Sequence, residues 1–173
     1  PLESLSLIFI THLHSDHYLE LGPLIHTAWT TGLKTPVVVY GPEGLADYWE
    51  AFLTSMASVI LLRVEDEGRK ELRDIVVIRT LEEGDLHAEP GLAVRAMRVD
   101  HPPLVDCFAL RFSGGGREVV MSADTAYLPA LADFASGADL LVHEAMLGAA
   151  LPALVARVGT DNDKLIKHLT RSH

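Results

Sequence analysis

The 173-residue sequence has a single cysteine, Cys107, so no intrachain disulfide can form. Cys107 lies in the apolar run Cys-Phe-Ala-Leu, which suits a buried, inert thiol better than a nucleophile. Basic residues are also scarce: 14 Lys and Arg face 24 Asp and Glu, for a formal net charge of −10. That balance argues against a dedicated nucleic-acid surface, because phosphate recognition usually needs a basic face. No apolar stretch of transmembrane length, signal-peptide pattern, internal repeat or low-complexity tract is visible. A cytoplasmic protein with no membrane partner is the resulting expectation.

What is present fits one globular domain spanning 1–173, with 49% hydrophobic and 22% charged residues. Both ends read as cut. The chain opens on Pro1 and enters a core strand almost at once, and it stops at Thr170-Arg171-Ser172-His173 directly after a helical segment. N-terminal strands and a final C-terminal motif are therefore expected to be missing.

The pattern alternates strands and helices. Leu5 to Ile10 reads as a buried strand, Tyr18 to Leu33 as a helix capped by Ser15 or Asp16, and Thr35 to Tyr40 as a strand stopped by Gly41-Pro42. Leu45 to Ala57 has helical spacing, starting near Pro42. Strands are predicted at Ile75–Thr80, Leu92–Val99, Cys107–Phe112 and Glu118–Ser122, with Gly114-Gly115-Gly116 as a hairpin turn. Leu128–Phe134 reads as helix, Asp139–His143 as a buried strand, and Leu151–Val158 and Lys164–Thr170 as helices. So many strands favour two packed sheets with helices outside.

The most informative stretch is Thr11-His12-Leu13-His14-Ser15-Asp16-His17, directly after the first strand. Side chains alternate along an extended chain, so His12 and His14 project to the same side. Asp16 and His17 follow as the chain turns, which lays out donors for two adjacent divalent cations. Two further donors sit just past predicted strands, where α/β folds gather their chemistry: His101 in Val-Asp-His-Pro and Asp124 in Ser-Ala-Asp-Thr. His101 would complete a three-histidine set with His12 and His14, and Asp124 could bridge both ions. His26, His87 and His168 receive no role: His26 reads as packing or surface, His87 as solvated, and His168 precedes His173 by five positions rather than four.

In order, His-Leu-His-Ser-Asp-His, a strand-end His and Ser-Ala-Asp-Thr resemble the successive motifs of the metallo-β-lactamase fold superfamily. Leu141-Val142-His143-Glu144-Ala145 resembles the His-Glu-Ala segment of its ribonuclease Z and arylsulfatase-like branch, and Ser172-His173 resembles the start of a later motif there. The resemblance implies a four-layer αββα sandwich, incomplete at both ends, with a dinuclear site on one edge. The ions would be Zn2+, with Mn2+ or Fe2+ as alternatives. Carried over, His12, His14 and His101 hold one metal, Asp16 and His17 the second, and Asp124 bridges. Residues matching Glu144 and His173 lie near the scissile group there, the Glu orienting the His.

Two departures shape the functional expectation. The superfamily's last histidine ligand falls beyond His173. Residues 58 to 91 contain Glu65-Asp66-Glu67 and Glu82-Glu83-Gly84-Asp85 instead of the long Gly/Pro/Lys-rich arm that ribonuclease Z proteins use for tRNA. The expectation is a hydrolase of small or medium esters (phosphodiester, sulfate ester or lactone-like), with Asp16 taking a proton from the attacking water and His173 protonating the leaving oxygen. The alternatives are a tRNA 3′-end endonuclease, an iron-dependent sulfur dioxygenase or thioesterase, and a non-catalytic metal-binding relative. A nucleic-acid substrate and a homodimer both stay open.

Overall fold

The computed structural model describes residues 2–158 and 162–173. The chain divides into two compact units, Pro1–Leu81 and Glu82–His173.

The first unit holds β1 (Leu7–Phe9), α1 (Ser15–Tyr18), α2 (Leu21–Thr30), β2 (Val37–Gly41), α3 (Leu45–Glu67) and β3 (Val76–Thr80). The three strands form a parallel sheet in the order β1-β2-β3, with Leu7 opposite Val38 and Val37 opposite Val76. Ile25 and Trp29 from α2, Leu45, Trp49 and Leu53 from α3, and Val37 and Val39 from β2 share one buried core. That core fixes the end of β1, from which the histidine run departs.

Two helices differ from the sequence expectation. The single helix predicted from Tyr18 to Leu33 is broken into α1 and α2. Pro23 explains the break: it has no N–H to donate to the Leu19 carbonyl, so it is tolerated only in the first turn of a new helix. Nor does Ser15 or Asp16 cap the helix; His14 occupies the N-cap position, without a side-chain cap bond. Helix α3 runs ten residues past the predicted end at Ala57, because Trp49, Leu53, Met56, Ile60 and Val64 continue one apolar stripe against the core. It ends where Gly68 adopts φ 64° and donates its N–H to the Val64 carbonyl at 3.1 Å, a left-handed stop suited to glycine. Contrary to the sequence expectation, α3 is long and apolar enough, by length and composition, to cross a membrane. Its stripe lies in this unit's core, while Leu61 and Leu62 on the other side are exposed.

The second unit contains β4 (Gly84–Glu89), β5 (Leu92–Arg98), β6 (Phe108–Gly114), β7 (Arg117–Met121), α4 (Ala130–Phe134), β8 (Leu140–Val142), α5 (Leu151–Val158) and α6 (Asn162–Ser172). Its sheet runs β4-β5-β6-β7-β8, antiparallel except for the parallel β7–β8 pair. The β6–β7 hairpin turns on Gly115 and Gly116 at φ 58° and 72°, the positive pair that a tight two-residue turn requires. Val99, Cys107, Ala109 and Leu131 form a small core joining the sheet to α4.

Here too the structure corrects the sequence. Strand β4 was not expected, and it carries His87, whose side chain is 9% exposed rather than solvated. Strand β8, expected to be buried, exposes Leu140, Leu141 and Val142, each at about half of its full accessibility.

Candidate functional site

In the first unit the donors follow β1. The main chain stays extended through His14 (φ −75°, ψ 139°) and then coils into the single turn of α1. Extended backbone sets His12 and His14 on one side, and the turn folds His17 back: its ring centroid lies 4.1 Å from that of His12, with His14 at 5.0 Å. The N–H of His17 donates to the His14 carbonyl at 2.9 Å and locks the turn. His12 is fully buried, and Thr11 Oγ1 lies 3.1 Å from its Nδ1, occupying that nitrogen. Asp16 stands apart in character. Its side chain is 80% exposed, with a carboxylate oxygen 3.5 Å from His17 Nε2.

In the second unit four sequence-predicted residues come together. His101 follows β5 and is 1% exposed. Its Nδ1 lies 2.8 Å from the Ser172 carbonyl, which can only accept, so the proton belongs on Nδ1 and the lone pair on Nε2. That Nε2 is 3.9 Å from Asp124 Oδ2. Nε2 and the carboxylate oxygen thus converge on one point that a proton or a cation can fill, and the N/O donor chemistry suits zinc. Asp124 follows β7 through Ala123, whose φ of 58° is rare for a residue with a side chain. Strain of this kind is tolerated where a neighbour must be aimed.

Glu144, just past β8, ties these parts together. One carboxylate oxygen lies 2.6 Å from His173 Nδ1, and the other accepts a very short hydrogen bond from the N–H of Thr125, the residue after Asp124. Its own N–H donates to Ser122 Oγ at 3.1 Å. His173 in turn sets its ring edge-on to His101, 5.0 Å between centroids. Beside the pair opens a cleft of about 500 Å3, lined by Thr125, Tyr127, Leu131, Leu141 and Met146 together with Glu144 and His173. It offers an apolar wall next to a carboxylate–imidazole pair.

Sequence reasoning missed Ser122, Thr125 and Ser172 as supporting residues. Each lies within two residues of one it singled out; Thr125 acts through its N–H, Ser122 through its hydroxyl and Ser172 through both carbonyl and hydroxyl, contacts that only the tertiary fold creates. Cys107 is buried, donates to the Asp124 carbonyl at 3.3 Å, and has its thiol pKa pushed up to about 12 by burial, which fits an inert thiol.

Comparison with known proteins places these features in a lineage. A family model described as anti-Pycsar protein Apyc1 matches residues 1–157. Ribonuclease Z of Mycobacterium marinum (strain ATCC BAA-535 / M) is 32% identical over 142 residues, covering 80% of this chain and 51% of the relative. The metallo-β-lactamase fold protein YhfI from Bacillus subtilis superposes with a TM-score of 0.57 at 25% identity, covering 82% of this chain and 50% of that one. Zn2+-bound PqqB from Methylobacterium extorquens superposes with a TM-score of 0.62 at 18% identity, over 97% of this chain and 53% of that one, a likeness of fold. The chain spans about half the length of the curated relatives it matches.

Proposed function

Because the chain belongs to the anti-Pycsar protein Apyc1 family and has the metallo-β-lactamase fold, we propose that it is a metal-dependent hydrolase of ester substrates, phosphodiesters foremost. The observation that carries this reading is the His12-x-His14-x-Asp16-His17 run, whose three imidazoles gather within ring contact at the end of a core strand. The ribonuclease Z relatives favour a phosphodiester over a sulfate ester or lactone, since a ribonuclease cuts that bond.

The residues have distinct parts. His12, His14 and His101 would hold one divalent ion, Asp16 and His17 a second, and Asp124 both; zinc suits this nitrogen and oxygen set. Bound there, such ions supply an activated water and polarise the ester oxygen. Asp16 keeps an exposed carboxylate that can take a proton as the ester is attacked. His173, held through Nδ1 by Glu144, presents Nε2 to protonate the leaving oxygen. The cleft beside them receives the less polar part of the leaving group.

A second reading, cleavage of an RNA 3′ end, is favoured by the ribonuclease Z relatives. The net charge of −10 weighs against it, since a long polyanion needs basic contacts along its length.

The test is metal content together with turnover of a chromogenic phosphodiester by the zinc-loaded protein. The expected result is stoichiometric zinc and measurable hydrolysis, with Asp16→Asn retaining the ion held by the three histidines and losing turnover by at least about a hundredfold. Absence of metal after zinc-replete preparation would sink the reading. Near-normal turnover by Asp16→Asn would remove Asp16 as the base.

A further inference from the structure

Ser172 contacts the His101 segment twice. Its carbonyl accepts from His101 Nδ1 at 2.8 Å, and its hydroxyl donates to the carbonyl of Pro102, the next residue, at 2.5 Å. The side chain is fully buried at the end of α6, with His168 Nδ1 also within 3.4 Å of the hydroxyl. The next residue is His173, bonded to Glu144, which reaches back to the N–H beside Asp124. Main chain, hydrogen bonds and the 3.9 Å approach of His101 Nε2 to Asp124 Oδ2 thus close a ring through Ser172, His101, Asp124, Glu144 and His173.

We infer that Ser172 is the positioning residue of this half of the site, fixing both the orientation and the tautomer of His101 while anchoring the chain that presents His173. The inference rests on the reading of His101 as a metal ligand. Its logic is that of outer-shell partners generally: an acceptor on the far ring nitrogen holds the imidazole with the other lone pair aimed at the ion. A carbonyl can do this only if it is itself held, and the hydroxyl bond to Pro102 holds it. Without that bond, the end of α6 can shift relative to residues 101 and 102. His101 can then rotate or place its proton on Nε2, where it blocks the ion.

The experiment uses Ser172→Ala in the full chain with two readouts. The first is the protonated nitrogen of His101 in the metal-free protein, read from its 15N chemical shifts at alkaline pH. The second is zinc affinity, measured by competition with a chromogenic chelator. Wild type should carry the proton on Nδ1. Ser172→Ala should show a mixture of tautomers and bind zinc about tenfold more weakly, the scale typical of losing an outer-shell partner. If the alanine chain does not fold, Ser172→Cys, nearly the same size but a weak donor, should shift both readouts in the same direction by less. A wild type with the proton on Nε2, or a variant matching wild type in both tautomer and affinity, would overturn the inference. A wild type that holds the proton on Nδ1 yet takes up no zinc would overturn the metal reading alone, and the tautomer change in Ser172→Ala would then decide the role of Ser172.

Discussion

Glu144 grips His173 through one carboxylate oxygen at 2.6 Å and the backbone beside Asp124 through the other. A carboxylate that bonds an imidazole Nδ1 fixes the ring and its tautomer, as an orienting acid does for a catalytic histidine. Because the same carboxylate holds residue 125, its position is shared between the proposed proton donor and the proposed bridging ligand. This double use distinguishes it from a carboxylate that merely neutralises a charge.

Glu144→Gln separates the two duties. The amide keeps an oxygen that can accept from the Thr125 N–H, and its NH2 group can face His173 only as a donor. The expected outcome is a loss of turnover of roughly a hundredfold, the lower end for a positioned acid–base group, with zinc content unchanged. Steady-state kinetics on a chromogenic phosphodiester, with metal analysis of the same preparation, checks it. Turnover within a few-fold of wild type would mean that His173 needs no carboxylate partner.

Arg69 is the corresponding structural clamp in the first unit. Its guanidinium donates to the Trp29 carbonyl at 2.6 Å and the Thr30 carbonyl at 3.0 Å, pairs with Glu67 at 2.5 Å, and lies over the Trp29 ring at 5.4 Å. These carbonyls belong to the last turn of α2, where helix geometry leaves acceptors without i+4 partners; the Trp29 carbonyl also takes the Gly32 N–H at 3.3 Å. Arg69→Ala should cost about 1–3 kcal/mol in denaturant unfolding, the scale for stranding acceptors that are partly shielded from water. Arg69→Lys should recover less than half, because an ammonium lacks the planar fork that spans two carbonyls. Full recovery by lysine would show that charge alone serves.

The sequence was most legible where a pattern has one physical solution. Extended backbone after a half-buried strand, which reads as buried from sequence alone, left few places for His12 and His14 to point, and Gly115 and Gly116 answered a turn that needs two positive φ values. It was least legible where tertiary context decides. Strand β4, Gly-Asp-Leu-His-Ala-Glu, has too little apolar alternation to read as a strand and is held by pairing to β5. Leu140, Leu141 and Val142 have the composition of a core strand but face outward. Pro23 marks the break, but the apolar spacing across it reads as one continuous helix. Ser172 meets His101 through a carbonyl, which every residue possesses, and its hydroxyl bond to Pro102 exists only once the end of α6 packs against residue 102.

His26 provides a pH test of the first unit. It lies on α2 with its ring 5.6 Å from Trp29, and its Nε2 is buried without a hydrogen-bond partner among the described residues. Burial, and secondarily the positive charge of Arg63, lower its pKa from the usual 6.5. The folded state therefore prefers the neutral ring, while the unfolded chain takes up a proton near the ordinary value. Below that value the unfolded state binds more protons than the folded one, so stability rises with pH and is lost as pH falls. The contribution is complete above pH 6.5 and disappears as pH drops through the depressed folded value. His26→Leu removes the titration while keeping an apolar side chain against Trp29. The metal-free wild type should lose melting temperature faster than His26→Leu as pH is lowered from 6.5, and the two should run parallel above it. Thermal melts across that range check this, with the effects of acid on carboxylates common to both chains. Parallel curves throughout would show that the protonated imidazole is as well accommodated in the folded chain as in the unfolded one.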